Sequence, residues 1–359
     1  MIRKRIAGKS SAAALTLLLL SLAPLAAQNV KSGSVAGSKG APKPLPPRKS
    51  TVQVFTIETA NLVLDYPDPD DPIVRQKRQD VLAKAKTDAQ KAALEAAYLR
   101  VDPALARRHA DFLQKVFEFY RGVFAFEDRD PFEGRKITFF VDASWAEGET
   151  LSSNEIRLGL SNFSDGLVYP PGRIYFHEMV HAFQYAQQKA GRFYVYQAIG
   201  GINEAFAEHF ACDAIARFES DDPKMMSYVD SFRNGSGSKT PENTLASFES
   251  HRVDPYGLDW GRHPKTKAGE GCRNGEYIFQ QMLMRIVDRF GWDIWLKFFA
   301  QTRKSSERFV TDFKTLTGAA TMQTPAVRRL FADLIDGLSL AAGPEARAMF
   351  AAWRFDLSE

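Results

Sequence analysis

The sequence predicts an α+β fold, with a small mixed sheet in the first ordered part of the chain and a mainly helical C-terminal part. Three observations lead there. Short β-branched and aromatic runs occur at residues 52–64, 135–142 and 154–160. Two helical stretches, 174–185 and 200–211, carry histidines and acids at one-turn spacing among core-type residues. Beyond residue 275, apolar side chains recur mostly at helical spacing. With 359 residues and 45% hydrophobic content, including 27 phenylalanines, the chain can bury a large core. That composition excludes a disordered or repeat protein. The net charge of +4 is modest, and lysines and arginines are interspersed with acids, so no nucleic-acid-binding stripe is present.

Residues 1–27 read as a secretory signal peptide. Arg3, Lys4, Arg5 and Lys9 form a positive front, residues 12–20 an apolar middle, and Leu25, Ala26 and Ala27 a small-residue cleavage site before Gln28. Thr16, Ser21 and Pro24 interrupt a run already shorter than the ~20 residues needed to span a bilayer, so no membrane anchor is expected after cleavage. No cysteine follows the cut, which excludes lipidation there, and the mature protein is expected in the periplasm or outside the cell. Residues 28–50, rich in Gly, Ser, Lys and Pro, read as a flexible linker.

Order is expected from residue 51. Residues 52–64 read as one or two strands, interrupted where 58–61 breaks the alternation. Residues 66–72, with three prolines and three aspartates, read as an exposed acidic linker rather than a calcium loop. Residues 73–99, rich in Lys, Gln and Ala, predict one long outer helix, and 103–124 a second that packs on the sheet through Leu105, Phe112, Val116, Phe119 and Val123. His109 lies on that helix as a surface or packing residue. Residues 135–142 and 154–160 follow as strands, and 166–173, with Pro170, Pro171 and Gly172, turns the chain into the next helix.

That helix contains His177, Glu178 and His181. Four residues apart on one face, the two imidazoles can converge on a single ion, and neutral imidazole nitrogen in a tetrahedral site makes zinc the expected metal. Phe176, Met179, Val180 and Phe183 would bury the pair, and buried imidazoles require partners. Glu178, beside the first ligand, is placed to take a proton from an attacking water and return it to a leaving amine. The second stretch, 200–211, presents Glu204 and Glu208 four apart. Glu204 is the candidate third ligand and Glu208 the candidate partner for a ligand histidine's free N–H, with the opposite assignment open. His209 points about 100° away from Glu208 on a helix and reads as packing or as a support to a ligand.

Taken together, His177, Glu178, Met179, Val180 and His181 followed by Asn203, Glu204, Ala205, Phe206, Ala207 and Glu208 resemble the gluzincin metallopeptidases, the clan of thermolysin and the aminopeptidase N family. The likeness covers about 35 of the 359 residues. It implies a zincin-like catalytic domain over 51–300, zinc held by His177, His181 and Glu204, Glu178 as general base, and a polypeptide substrate. Residues 301–359 would be a C-terminal helical extension. In the fold it resembles, the strand before the zinc helix is the sheet edge on which extended peptide pairs, a place taken here by 156–160. Residues 274–277 are similar to the aminopeptidase helix start that presents a tyrosine to the scissile carbonyl, making Tyr277 the candidate oxyanion donor, with His251 and His263 as rivals. The run with which those aminopeptidases hold a substrate's amino terminus is absent, which counts against exopeptidase action. A metzincin is excluded, because Gln184 and Gln187 stand where glycine and the third histidine are required.

Two other readings fit the same residues. One is a zinc hydrolase acting on another amide, such as cell-wall peptide. The other is a non-catalytic surface or binding protein with a structural zinc, although such a site gains nothing from Glu178. Cys212 and Cys272 are too few for a zinc cage. If paired, they would close a loop of about 60 residues and contribute up to ~4 kcal/mol. The segment 232–240 reads as a surface loop, 248–267 as loop, and a helix from Gly275 to Gly291 is followed by another from Trp292. Nothing in the sequence fixes the oligomeric state.

Overall fold

The computed structural model describes residues 49–163, 172–192, 200–234, 245–250, 254–260, 273–305 and 320–355. Residues Pro47–Glu359 fold as one compact unit. The expected signal peptide, most of the expected 28–50 linker, His251, His263 and Cys272 lie outside the described residues. No helix among the described residues is long and apolar enough to cross a membrane.

The architecture is α+β with a five-stranded mixed sheet. Strand β1 (Val54–Glu58) turns back antiparallel to β2 (Leu62–Pro67), with Thr59 N–H bonded to the Leu62 carbonyl at 2.9 Å across the turn. β3 (Ile137–Val141) pairs parallel with β2, and β5 (Glu155–Leu158) parallel with β3. β4 (Gly148–Ser152) then flanks β5 antiparallel, so the spatial order is β1-β2-β3-β5-β4. A near-continuous apolar strand such as β3, Ile137-Thr138-Phe139-Phe140-Val141, suits this central position, paired on both sides.

Two strand expectations change. Residues 156–160 were expected to form the free edge, but β5 is hydrogen-bonded on both sides and the edge belongs to β4, to which local pattern assigned no strand. β4 reads Gly148-Glu149-Thr150-Leu151-Ser152, with no apolar alternation strong enough to declare it, and pairing with β5 supplies what propensity lacks.

The helical region between β2 and β3 also departs from expectation. In place of one helix over 73–99 there are two, α1 (Pro72–Leu82) and α2 (Asp88–Ala97). Thr87 caps α2 by accepting from Gln90 N–H at 3.1 Å, and this cap competes with continuation through a polar segment that buries little. Asp71, expected in an exposed linker, is buried; its carboxylate accepts from Ile73 N–H at 2.7 Å, Val74 N–H at 3.2 Å and Gln53 N–H at 2.8 Å. It therefore starts α1 and fastens it to the chain entering β1.

α3 (Pro103–Val123) begins with Asp102 capping Ala104 and Leu105 and with proline at the first position, where its missing N–H costs nothing. Its buried stripe includes Ala106, Ala110, Leu113, Val116, Phe117, Tyr120 and Val123, which face the sheet and the central helix. His109 belongs to that stripe and is a core histidine, its Nδ1 2.9 Å from the Tyr66 hydroxyl. Burial lowers its pKa to about 3, so it stays neutral.

α4 (Arg173–Lys189) runs through the middle of the molecule and is buried on nearly all sides. Phe183 at its centre is enclosed by the rings of Phe117, Phe124, Phe126 and Phe132 and by Tyr120. α5 (Gly200–Phe218) packs along α4. The Tyr120 hydroxyl, bonded to the Phe210 carbonyl at 3.0 Å, joins α3 to α5. α6 (Pro223–Asn234) and α8 (Glu276–Phe290) pack on α5 and on each other, and the short α7 (Leu245–Glu249) packs on α8.

The final helices are α9 (Ile294–Lys304), α10 (Pro325–Ala342) and α11 (Pro344–Ala352). α9 crosses residue 300 and packs on both α3 and α10, and Trp260 meets Phe279, Phe331 and Phe355. The C-terminal helices thus share the core of the preceding residues. Cys212 is buried and forms no disulfide among the described residues, and Cys272, its candidate partner, lies outside them.

Candidate metal centre

The packing of α4 on α5 creates the site. His177 and His181 lie one turn apart on the α4 face turned to α5, and α5 returns Glu204 to the same point. His177 Nε2 is 3.1 Å from His181 Nε2 and 3.1 Å from Glu204 Oε2, and His181 Nε2 is 3.6 Å from Glu204 Oε1. The histidines are buried, while the Glu204 side chain keeps 23% exposure, so the cluster is reached from one side. Among the described residues, these three form the group of donors able to share an ion.

The spacing suits a metal. Two imidazole nitrogens each ~2.05 Å from a tetrahedral ion stand roughly 3.3 Å apart, close to the separation found. Two nitrogens and a carboxylate oxygen are also a donor set that zinc accepts. The electrostatics agree. Burial by itself lowers the His177 and His181 pKa values, but the Glu208 charge at His177 and the Glu204 charge at His181, with smaller contributions from Glu178, raise both above the ordinary histidine range. An acidic cage of this kind favours positive charge at its centre, whether a proton or a metal cation.

The two acids left interchangeable by their spacing are separated by the fold. Glu204 faces the Nε2 atoms, whereas Glu208 faces the other nitrogen of His177, with Oε1 3.4 Å from Nδ1. That contact is longer than a good N–H···O bond, so Glu208 acts on His177 chiefly through charge. Glu208 itself is fastened by Arg173, at the start of α4, and by the Tyr228 hydroxyl on α6. Burial would raise its pKa, but His177 and Arg173 hold it well below the usual carboxylate range.

His181 is supported differently. Its Nδ1 lies 2.7 Å from Gln184 Oε1, with the Asn203 side-chain amide at 3.3 Å. A proton on Nδ1 donated to Gln184 leaves the Nε2 lone pair free for a metal. Gln184 was considered only as evidence against a metzincin, yet its place three residues after His181 on one helix was visible in the spacing. Thr150, whose hydroxyl lies 2.8 Å from Glu178 Oε2, had no comparable signal, being 28 residues away on a strand that local pattern does not announce.

Tyr277 is the second residue of α8 and half-buried. Its phenol pKa is raised by burial first and then by the charges of Glu276 and Glu208. No hydrogen bond joins its hydroxyl to the metal ligands among the described residues. His209 lies outside the donor group found among the described residues. It is fully buried against Phe210, Trp292 and Trp295, and burial lowers its pKa to about 3. No protein-family model matches this chain, and a comparison with curated proteins gives no match.

Proposed function

We propose that this chain is an exported zinc-dependent metallopeptidase of the gluzincin type, with a zincin-like catalytic fold and a polypeptide substrate. The observation that carries the reading is the convergence of His177, His181 and Glu204 from two separate helices, with Glu178 beside them and outside the ligand group. A purely structural site is less well supported, because the described group has three donors and retains an exposed side.

In this reading His177, His181 and Glu204 hold zinc. When bound, the metal supplies Lewis-acid polarisation of the scissile carbonyl and makes water ionise near neutral pH. Glu178 removes a proton from the attacking water and delivers it to the departing nitrogen, so the peptide bond is replaced by a carboxylate and an amine. Gln184 and Glu208 hold the two imidazoles from behind. Tyr277 is the proposed donor to the developing oxyanion. Extended substrate would pair with the free edge of β4, the strand that packs directly against α4.

The test is to purify the mature protein, quantify its metal, and profile cleavage of a mixed peptide library with and without a chelator. Chelator-sensitive internal cuts support an endopeptidase, and loss of single N-terminal residues an aminopeptidase. Stoichiometric zinc with no cleavage of any peptide removes the peptidase reading.

A further inference from the structure

We infer that Thr150, on the edge strand β4, is the positioning residue that aims the Glu178 carboxylate; this rests on Glu178 serving as the general base. Thr150 Oγ1 lies 2.8 Å from Glu178 Oε2 and 2.8 Å from the Glu178 carbonyl oxygen. Both residues are buried, at 5% and 4% exposure, so water does not compete for the contact. A hydroxyl has one proton to give. The charged oxygen is the stronger acceptor, and the carboxylate therefore receives the bond while Glu178 is ionised.

The strand is shaped for this contact. Gly148, two residues earlier, shares a strand face with Thr150. A Cβ at Gly148 would lie 2.7 Å from Ile174 Cγ1 and 3.0 Å from Glu178 Cγ, so only glycine lets β4 lie this close to α4. Immediately after Thr150 the register with β5 shifts between Thr150 and Ser152. An irregularity at that point re-aims the strand's side chains. A glycine, a buried hydroxyl and a break in register thus fall within five residues of an edge strand that packs on the helix carrying Glu178.

A glutamate has three rotatable side-chain bonds, and a general base works only when its oxygen is within reach of the proton it takes. Fixing one carboxylate oxygen on Thr150 leaves the other to meet the water. The hydroxyl touches neither substrate nor metal in this scheme and acts through Glu178 alone.

The experiment uses the full mature chain with Thr150→Val, Thr150→Ala and Thr150→Ser, comparing zinc content, kinetics on a chelator-sensitive peptide, and crystal structures. Thr150→Val is expected to retain zinc, lose about 10- to 100-fold in kcat with KM changed less than about threefold, and show Glu178 in altered or multiple rotamers. Thr150→Ser should recover kcat to within about threefold of wild type. Thr150→Ala also lacks the hydroxyl without adding a methyl beside the carboxylate, and should lower kcat in the same way, so it carries the test if Thr150→Val does not fold. A Glu178 rotamer unchanged in Thr150→Val, or in Thr150→Ala should that variant stand alone, overturns the inference. If the wild type cleaves no peptide, the peptidase reading fails while the rotamer comparison still decides whether Thr150 holds the carboxylate.

Discussion

Gln184 Oε1 lies 2.7 Å from His181 Nδ1, one turn along the same helix, and this contact selects the tautomer in which Nε2 faces Glu204. Replacing Gln184 with Leu removes the acceptor while leaving the fold of α4 intact. Zinc affinity is expected to fall about 10- to 100-fold, the usual effect of losing such a support. Chelator-competition titration measures it, and an unchanged affinity would show that the Gln184 contact does not support the ring.

Glu178→Gln preserves size and removes the proposed base. The variant should bind zinc as the wild type does and lose about 10²- to 10⁴-fold in turnover. Metal analysis and peptide cleavage on the same preparation separate the two effects.

Glu204→Ala and His181→Ala each take away one donor of three. Both should be purified with little zinc. In the wild type, added zinc should raise the melting temperature, because a ligand that binds only the folded state stabilises it by RT ln(1 + L/Kd), with L the free zinc concentration. In the two variants that increase should be much smaller, as read by calorimetry. Glu208→Ala, by contrast, should retain zinc with reduced affinity, since Glu208 faces the far side of His177.

Phe183→Ala tests the packing that brings the helices together. Phe183 is fully buried among five aromatic rings, and its truncation should cost about 3–5 kcal/mol of stability in denaturant titration. The four phenylalanine neighbours and Tyr120 leave a space too rigid to close.

Asp71 offers a pH test away from the metal centre. Burial raises its pKa, but the backbone N–H groups of Gln53, Val74 and Ile73 outweigh that and hold it below the ordinary aspartate value. With the folded value depressed, its contribution to stability is complete above the unfolded pKa of ~3.9 and is lost as pH falls through the folded value. Asp71→Ala should therefore destabilise the protein by about 1 kcal/mol at pH 7. The gap from wild type should narrow below about pH 4, as followed by urea unfolding across pH.

Much of this molecule could be read from local spacing, because helical periodicity is a property of neighbouring residues. It put His177 and His181 on one face, set Glu204 and Glu208 one turn apart, and announced β3, α3 and α8. Spacing could not say which acid faces the Nε2 atoms, since residues four apart on one helix face are equivalent until another helix arrives. The packing of α4 on α5 removed that equivalence, sending Glu204 to the Nε2 atoms and Glu208 to Nδ1 of His177. Nor could spacing find β4, whose place at the sheet edge comes from hydrogen bonds to β5 and from Gly148 lying against Ile174. The reason is the same in both cases. A residue's chemistry is written in its own side chain, but its partner is chosen by contacts between segments distant in the chain, which exist only once the core has closed.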